Sequence, residues 1–241
     1  MGTAATINIV ADNVTESNIE QVFALLAEIE NRFSFFKADS EISRINRGEI
    51  NHEDYSVLMQ EVFALSAKTK AETNGYFDIV TEKGQFNPSG LVKGWAISKA
   101  ADLIRAMGFA NFCVEIGGDI EVSGRNENNN FWRVGIRNPF DLEQTVKVLQ
   151  LLNCGIATSG IYLRGQHIYD PHEYAKKFGE IVSLTVVAKS AYEADRFATA
   201  AFAMGRAGIE FIENHPELEA YMIDKNGLAT LSSGFDKYLI A

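Results

Sequence analysis

The chain has 241 residues, 46% of them hydrophobic, enough to bury a sizeable core in one large domain or two small ones. Its formal charge of -10, with no cluster of Lys or Arg to offset it, repels phosphate backbones and leaves nucleic acid out as an expected partner. No apolar run is long enough to span a bilayer, and the first residues have neither a charged nor an apolar leader region, so a cytoplasmic protein is expected, or an exported one if a leader has been removed.

Residues 5–10 read as a strand. Ile19, Val22, Phe23, Leu26, Ile29 and Phe33 then recur at helical spacing behind a Thr15 cap. The run from Phe33 to Asn46 sets Phe33, Phe35 and Phe36 beside a polar, turn-forming stretch, and two readings fit: aromatic faces for a flat ring ligand, or a cap on the core. A second helix carries Val57, Val62, Phe63 and Leu65 and ends by Asn74-Gly75, residues that tolerate positive φ. The run Asn87-Pro88-Ser89-Gly90-Leu91-Val92-Lys93 leads into a third helix from near Gly94. Free N–H groups at such a start attract phosphate and Lys93 adds a point charge, although a loop before a capped helix is common in proteins of this class.

Strands are expected over 112–122, 131–137, 145–152 and 181–188. Gly117-Gly118 interrupts the first of these, as a bulge or as room for a close backbone approach. Gly155 to Gly160 gathers small and hydroxyl residues shortly before His167, for which two readings fit equally: a general base or phosphate-polarising group, or a surface residue. His52, His172 and His215 lie in polar surroundings and read as surface residues. Helices are expected over 191–205 and 208–214, and a hairpin over 221–232 turned at Lys225-Asn226-Gly227. On the first of these helices Asp195 and Thr199 are four apart, so both oxygens face one side and could share a magnesium ion; helix-end and back-bonding roles fit them too. Cys113 and Cys154 sit among apolar residues and read as reduced core thiols. With no repeat and no linker, the expectation is one α/β (α+β) domain with mixed sheets flanked by helices.

Taken in order, eight blocks resemble the FAD:protein FMN transferases, the ApbE-type flavin transferases. They are Met1-Gly2-Thr3, Asp39-Ser40-Glu41-Ile42-Ser43, Gly75-Tyr76-Phe77-Asp78-Ile79, Val92-Lys93-Gly94-Trp95-Ala96, Glu115-Ile116-Gly117-Gly118-Asp119-Ile120, Ala157-Thr158-Ser159-Gly160, His167-Ile168-Tyr169-Asp170-Pro171 and Ala194-Asp195-Arg196-Phe197-Ala198-Thr199. The resemblance implies a single flavin transferase domain over 1–241 that takes FAD as substrate and uses magnesium to move FMN onto a Thr or Ser hydroxyl of an acceptor flavoprotein subunit of a redox complex, releasing AMP. Carried over block by block, Met1, Phe36, Phe77 and Asp78 lie along FAD, with Ser89 and Lys93 near its phosphates. Asp195, Thr199 and the main-chain carbonyl around Val92 hold the metal, and His167 is the catalytic residue, serving the acceptor or the transferred phosphate. An FAD pyrophosphatase and a non-catalytic FAD-binding protein use the same residues. Two departures stand out: 81–88 is a short connection where relatives carry a long segment, and His172-Glu173-Tyr174 follows Asp170-Pro171 where they have Arg-Thr-Gly.

Overall fold

Alternation of apolar and polar residues along the strands, and apolar stripes along the helices, build the architecture of this computed structural model, which describes residues 3–161, 169–173 and 179–240. Strand β1 (Ala5–Ile9) leads to helix α1 (Glu16–Phe33), the short α2 (Glu41–Asn46), a 3-10 turn (His52–Asp54), α3 (Val57–Glu72) and α4 (Ser89–Ala106). Strands β2 (Phe112–Ile116), β3 (Asp119–Ser123), β4 (Trp132–Asn138), β5 (Asp141–Leu151), β6 (Cys154–Gly160) and β7 (Ile181–Ala188) follow. Helices α5 (Ala191–Ala203) and α6 (Ala207–Glu213), strands β8 (Glu219–Asp224) and β9 (Ala229–Leu231) and a 3-10 turn (Phe235–Tyr238) complete the chain.

Seven strands form one sheet in the order β1-β2-β3-β6-β7-β8-β9, and β4 and β5 form a separate ribbon. Each pairing among the described residues is antiparallel, so helix and sheet are mixed in one domain of the α+β kind. Side chains alternate across the large sheet. Ala157, Val186 and Met222 face α5 and α6, whereas Ile156, Val187 and Tyr221 face the β4–β5 ribbon. Covered on both faces, β7 is buried almost throughout, and a register shift between Ile181 and Ser183 lets Ile181 join the helical side out of parity.

Thr15 caps α1 in a reciprocal box with Asn18, and the helix buries Val22, Leu26, Ile29 and Phe33, each worth about 1.5–3 kcal/mol on removal from water. Helix α4 starts at Ser89, five residues before the expected Gly94, because its first turn is written in Ser and Gly, which carry no helical signature. Gly117 (φ 59°) and Gly118 (φ 93°) form a two-residue turn between β2 and β3, dividing the single expected strand into a hairpin. Strand β6 is not among the expected strands, since its run of small and hydroxyl residues carries little strand signal. Gly155 is required there, since a Cβ would come within 2.1 Å of the Ala191 N at the start of α5.

Cys113 and Cys154 both align with Val122, one on each neighbouring strand. Two strand spacings separate them, roughly 10 Å, beyond the reach of a disulfide. Both are free, as expected. Among the described residues no helix is long and apolar enough to cross a membrane.

Candidate active site

Helices α4 and α5 touch backbone to backbone. A Cβ on Gly94 would lie 2.3 Å from the Ala191 carbonyl oxygen and 2.5 Å from Asp195 Cβ, and one on Gly90 would lie 2.9 Å from Thr199 Cγ2. The two glycines, four apart on α4, therefore face Asp195 and Thr199, four apart on α5. Gly94 donates its N–H to Asp195 Oδ2 at 2.7 Å, and Thr199 Oγ1 donates to the Gly90 carbonyl at 3.0 Å. Ser159 Oγ on β6 stands 3.5 Å from Thr199 Oγ1. Two hydroxyls and one main-chain carbonyl thus stand in a chain, with the Asp195 carboxylate one turn further along α4, at Gly94.

That carbonyl belongs to Gly90. Val92, expected to supply it, lies two residues further along α4 and is buried. The Gly90 carbonyl lay outside the sequence reading because a main-chain oxygen leaves no side-chain mark; the only signal was a glycine in a helical first turn.

Ser89 opens α4, and its N–H and hydroxyl both donate to Asn87 Oδ1, at 3.2 and 2.6 Å. Pro88, at the cap position, makes no side-chain capping bond, so the positive end of the α4 dipole faces this corner. Lys93, one turn on, pairs with Asp119 Oδ2 at 2.5 Å, and Asp119 Oδ1 accepts the Thr158 N–H at 3.1 Å. The Gly-Gly-Asp block thereby fixes the Lys93 ammonium from the mouth of the β2–β3 hairpin.

Phe77 is buried, with Cε2 3.4 Å from the Cβ position of Gly90, so its ring closes the same corner. Next to it, Asp78 receives Lys70 Nζ on Oδ2 at 2.5 Å and the Val80 N–H on Oδ1 at 2.9 Å. Residues 80–86 form a tight turn with a Val80–Phe86 bridge, which returns the chain directly to α4. Phe36 stands apart on the loop after α1, 92% exposed beside Phe35. Met1 and His167 lie outside the described residues.

Helix α5 is held in place from behind. Glu121, fully buried, accepts from Ser98 Oγ (2.6 Å), Arg105 (2.8 Å) and the Ala191 N–H (2.9 Å) at the start of the helix. Arg196, equally buried, pairs with Glu193 at 2.5 Å and with Glu72 at the end of α3. Among the described residues no group of three or more His, Cys, Asp or Glu is placed to hold a metal. The oxygens at Asp195, Thr199 and Gly90 nevertheless fit magnesium, a hard ion that uses few protein ligands and completes its shell with water and phosphate. An open recess of about 760 Å³ between α1 and α2 is a poorer candidate, because its Arg32 is paired with Glu28 and Glu41 and its Arg44 with Glu49.

The model of the ApbE family matches residues 1–84 and 80–222, two pieces that meet at the 80–86 turn. The FAD:protein FMN transferase of Vibrio cholerae is 31% identical over 159 residues, 62% of this chain and 46% of that protein. The chain thus spans about half the length of that relative. The FAD:protein FMN transferase of Haemophilus influenzae is 24% identical over 290 positions, covering 93% of this chain and 84% of that protein. An alignment longer than the whole chain must open gaps within it. Among solved structures, the flavin transferase ApbE from Vibrio cholerae superposes with a TM-score of 0.86 at 24% identity, over 99% of this chain and 96% of that one. The apbe protein from Thermotoga maritima gives 0.84 at 20% identity, over 100% and 97%.

Proposed function

The chain belongs to the ApbE family, and on that premise we propose that it is an FAD:protein FMN transferase that moves FMN from FAD to a Thr or Ser hydroxyl of an acceptor flavoprotein and releases AMP. The observation that carries this reading is the meeting of Asp195 and Thr199 with the first turn of α4. That corner joins an oxygen ligand set to a helix N-terminus and the Lys93 ammonium, the parts a pyrophosphate needs. The names of the Vibrio and Haemophilus relatives support the same activity. We further propose that the domain is a shortened version of the family's, with 80–86 turning where relatives carry more chain.

In this reading Asp195, Thr199 and the Gly90 carbonyl hold magnesium, with Gly90 preferred to Val92 because Thr199 already reaches it. The ion supplies charge neutralisation at the phosphates. Ser89 and Lys93 face the pyrophosphate, Phe77 and Asp78 the flavin side, and Met1 and Phe36 complete the FAD contacts. Asp119 keeps the Lys93 ammonium fixed, so little reorganisation is needed as charge builds on the leaving phosphate. The acceptor oxygen bonds to the FMN phosphorus, the bond to the AMP oxygen breaks, and His167 takes the hydroxyl proton.

The test is incubation with FAD, magnesium and a flavoprotein acceptor domain, following AMP by chromatography and the acceptor by intact mass. One FMN added per AMP released is the expected result. AMP without added mass would make the protein an FAD pyrophosphatase, and bound FAD without AMP a non-catalytic carrier; either overturns the proposal.

A further inference from the structure

The segment after α3 bends through two consecutive left-handed residues, Asn74 (φ 50°) and Gly75 (φ 82°), before delivering Phe77 and Asp78. From its own side this bend is tied by the Gly75 N–H to the Lys70 carbonyl (2.8 Å) and by the Phe77 N–H to Thr73 Oγ1 (3.1 Å). A second set of ties arrives from residues 169–173. The Tyr169 hydroxyl donates to the Asp78 carbonyl at 2.9 Å, and His172 Nε2 lies 3.0 Å from the Asn74 carbonyl. A carbonyl only accepts, so Nε2 carries the proton.

The His172 ring also packs edge-on to Tyr76, with centroids 4.7 Å apart, and its Cε1 is 3.2 Å from where a Cβ on Gly75 would stand. His172 is fixed in turn by its own N–H, which donates to Asp170 Oδ1 at 3.0 Å, and Asp170 is buried. Both ties end on main-chain carbonyls, one within the bend at Asn74 and one just beyond it at Asp78. They join segments 91 and 98 residues apart in sequence.

Asn74 and Gly75 both tolerate the left-handed region without being confined to it, so their own preferences do not hold the bend in one conformation. Local hydrogen bonds reach the bend from one side alone; Tyr169 and His172 close it from the other. We propose that Tyr169 and His172 are positioning residues for FAD recognition, clamping the Asn74–Gly75 bend so that Phe77 and Asp78 meet the substrate in one geometry. The inference rests on the FAD reading above. Without the clamp the bend samples other conformations, and FAD must select the competent fraction, which weakens binding in proportion. The ligand set on α4 and α5 is untouched.

The experiment measures AMP release against FAD concentration for the wild type, Tyr169→Phe, His172→Ala and His172→Gln, with the melting temperature of each. Tyr169→Phe keeps the ring and deletes one hydrogen bond, so KM for FAD should rise about threefold to tenfold while kcat stays within about twofold. His172→Ala should act alike, and His172→Gln, whose amide can donate to Asn74, should recover part of the loss. An unchanged KM in Tyr169→Phe and His172→Ala, or a fall in kcat at constant KM, overturns the inference. If the wild type binds FAD without releasing AMP, the functional reading fails by itself, and calorimetric Kd values for the same variants decide the clamp by the same criterion. A wild type that does not bind FAD overturns both.

Discussion

Asp195 packs on α4 through the Gly94 N–H, four residues along α5 from the Thr199 hydroxyl that reaches Gly90, and in the proposed function it is also the charged metal ligand. Asp195→Ala removes the one charged ligand proposed, and magnesium-dependent AMP release should be abolished. Thr199→Val, which keeps the shape and deletes the oxygen, should do less harm. A magnesium titration of both variants checks this; a wild-type titration curve in Asp195→Ala would place the metal elsewhere. The pair was legible in the sequence from its spacing of four, whereas the carbonyl opposite it was not. Nor was the ion pair of Lys93 with Asp119, since no local pattern links residues on a helix and a hairpin that meet only in the fold. The cysteines illustrate the reverse case. Burial pushes the Cys113 thiol up to about 12 and that of Cys154 up to about 11, so neither is ionised near neutral pH. Native protein at pH 8 should resist iodoacetamide at both and take up two equivalents once unfolded; rapid alkylation of the folded chain would contradict the burial.

The longer helices announced themselves through their apolar stripes, the six-residue α2 inside the stretch read as turn-forming did not, and the elements nearest the site were the least legible. Strand β6 is built from Gly, Ala, Thr and Ser because α5 begins directly against it, and the composition that permits this contact also erases the strand signal. The start of α4 was hidden for the same reason. Small residues here are therefore a record of close approach, and the approach can be tested. Gly94→Ala would press a methyl group against the Ala191 carbonyl at 2.3 Å, and backbone cannot rotate away as a side chain would. A loss of about 1–3 kcal/mol is expected from overpacking, and turnover should fall further as α5 carries Asp195 and Thr199 away from α4. Urea denaturation gives the first quantity and AMP release the second. A Gly94→Ala protein of undiminished stability and rate would mean that the helices separate without consequence.

Across the whole molecule, the fold class could be read in advance, yet the strand order could not, because pairing partners lie far apart in sequence. The clearest long-range tie is Arg196, buried between Glu193 and Glu72 and stacked on Phe197 at 4.0 Å. Burial works against ionisation of Glu72, and the hydrogen bond and charge of Arg196 more than offset it, leaving its pKa below the ordinary value. A carboxylate depressed in the folded state contributes stability above its unfolded pKa of about 4.3 and loses it as the pH falls through the folded value. Glu72→Gln should therefore melt below the wild type at pH 7, and the gap should narrow steadily as the medium is acidified; a gap of constant size across the acid range would assign the loss to packing. The sheet order has a further consequence, in the time domain of synthesis. Strand β1 sits at the sheet edge with β2 as its neighbour, and β2 begins more than a hundred residues later. At roughly 5–20 residues per second, β1 leaves the ribosome several seconds to some twenty seconds ahead of the strand that completes it. Throughout that interval Ile7 and Ile9 can pack only against the helices α1 to α4 of the same core, and the strand edge that β2 later covers stays open.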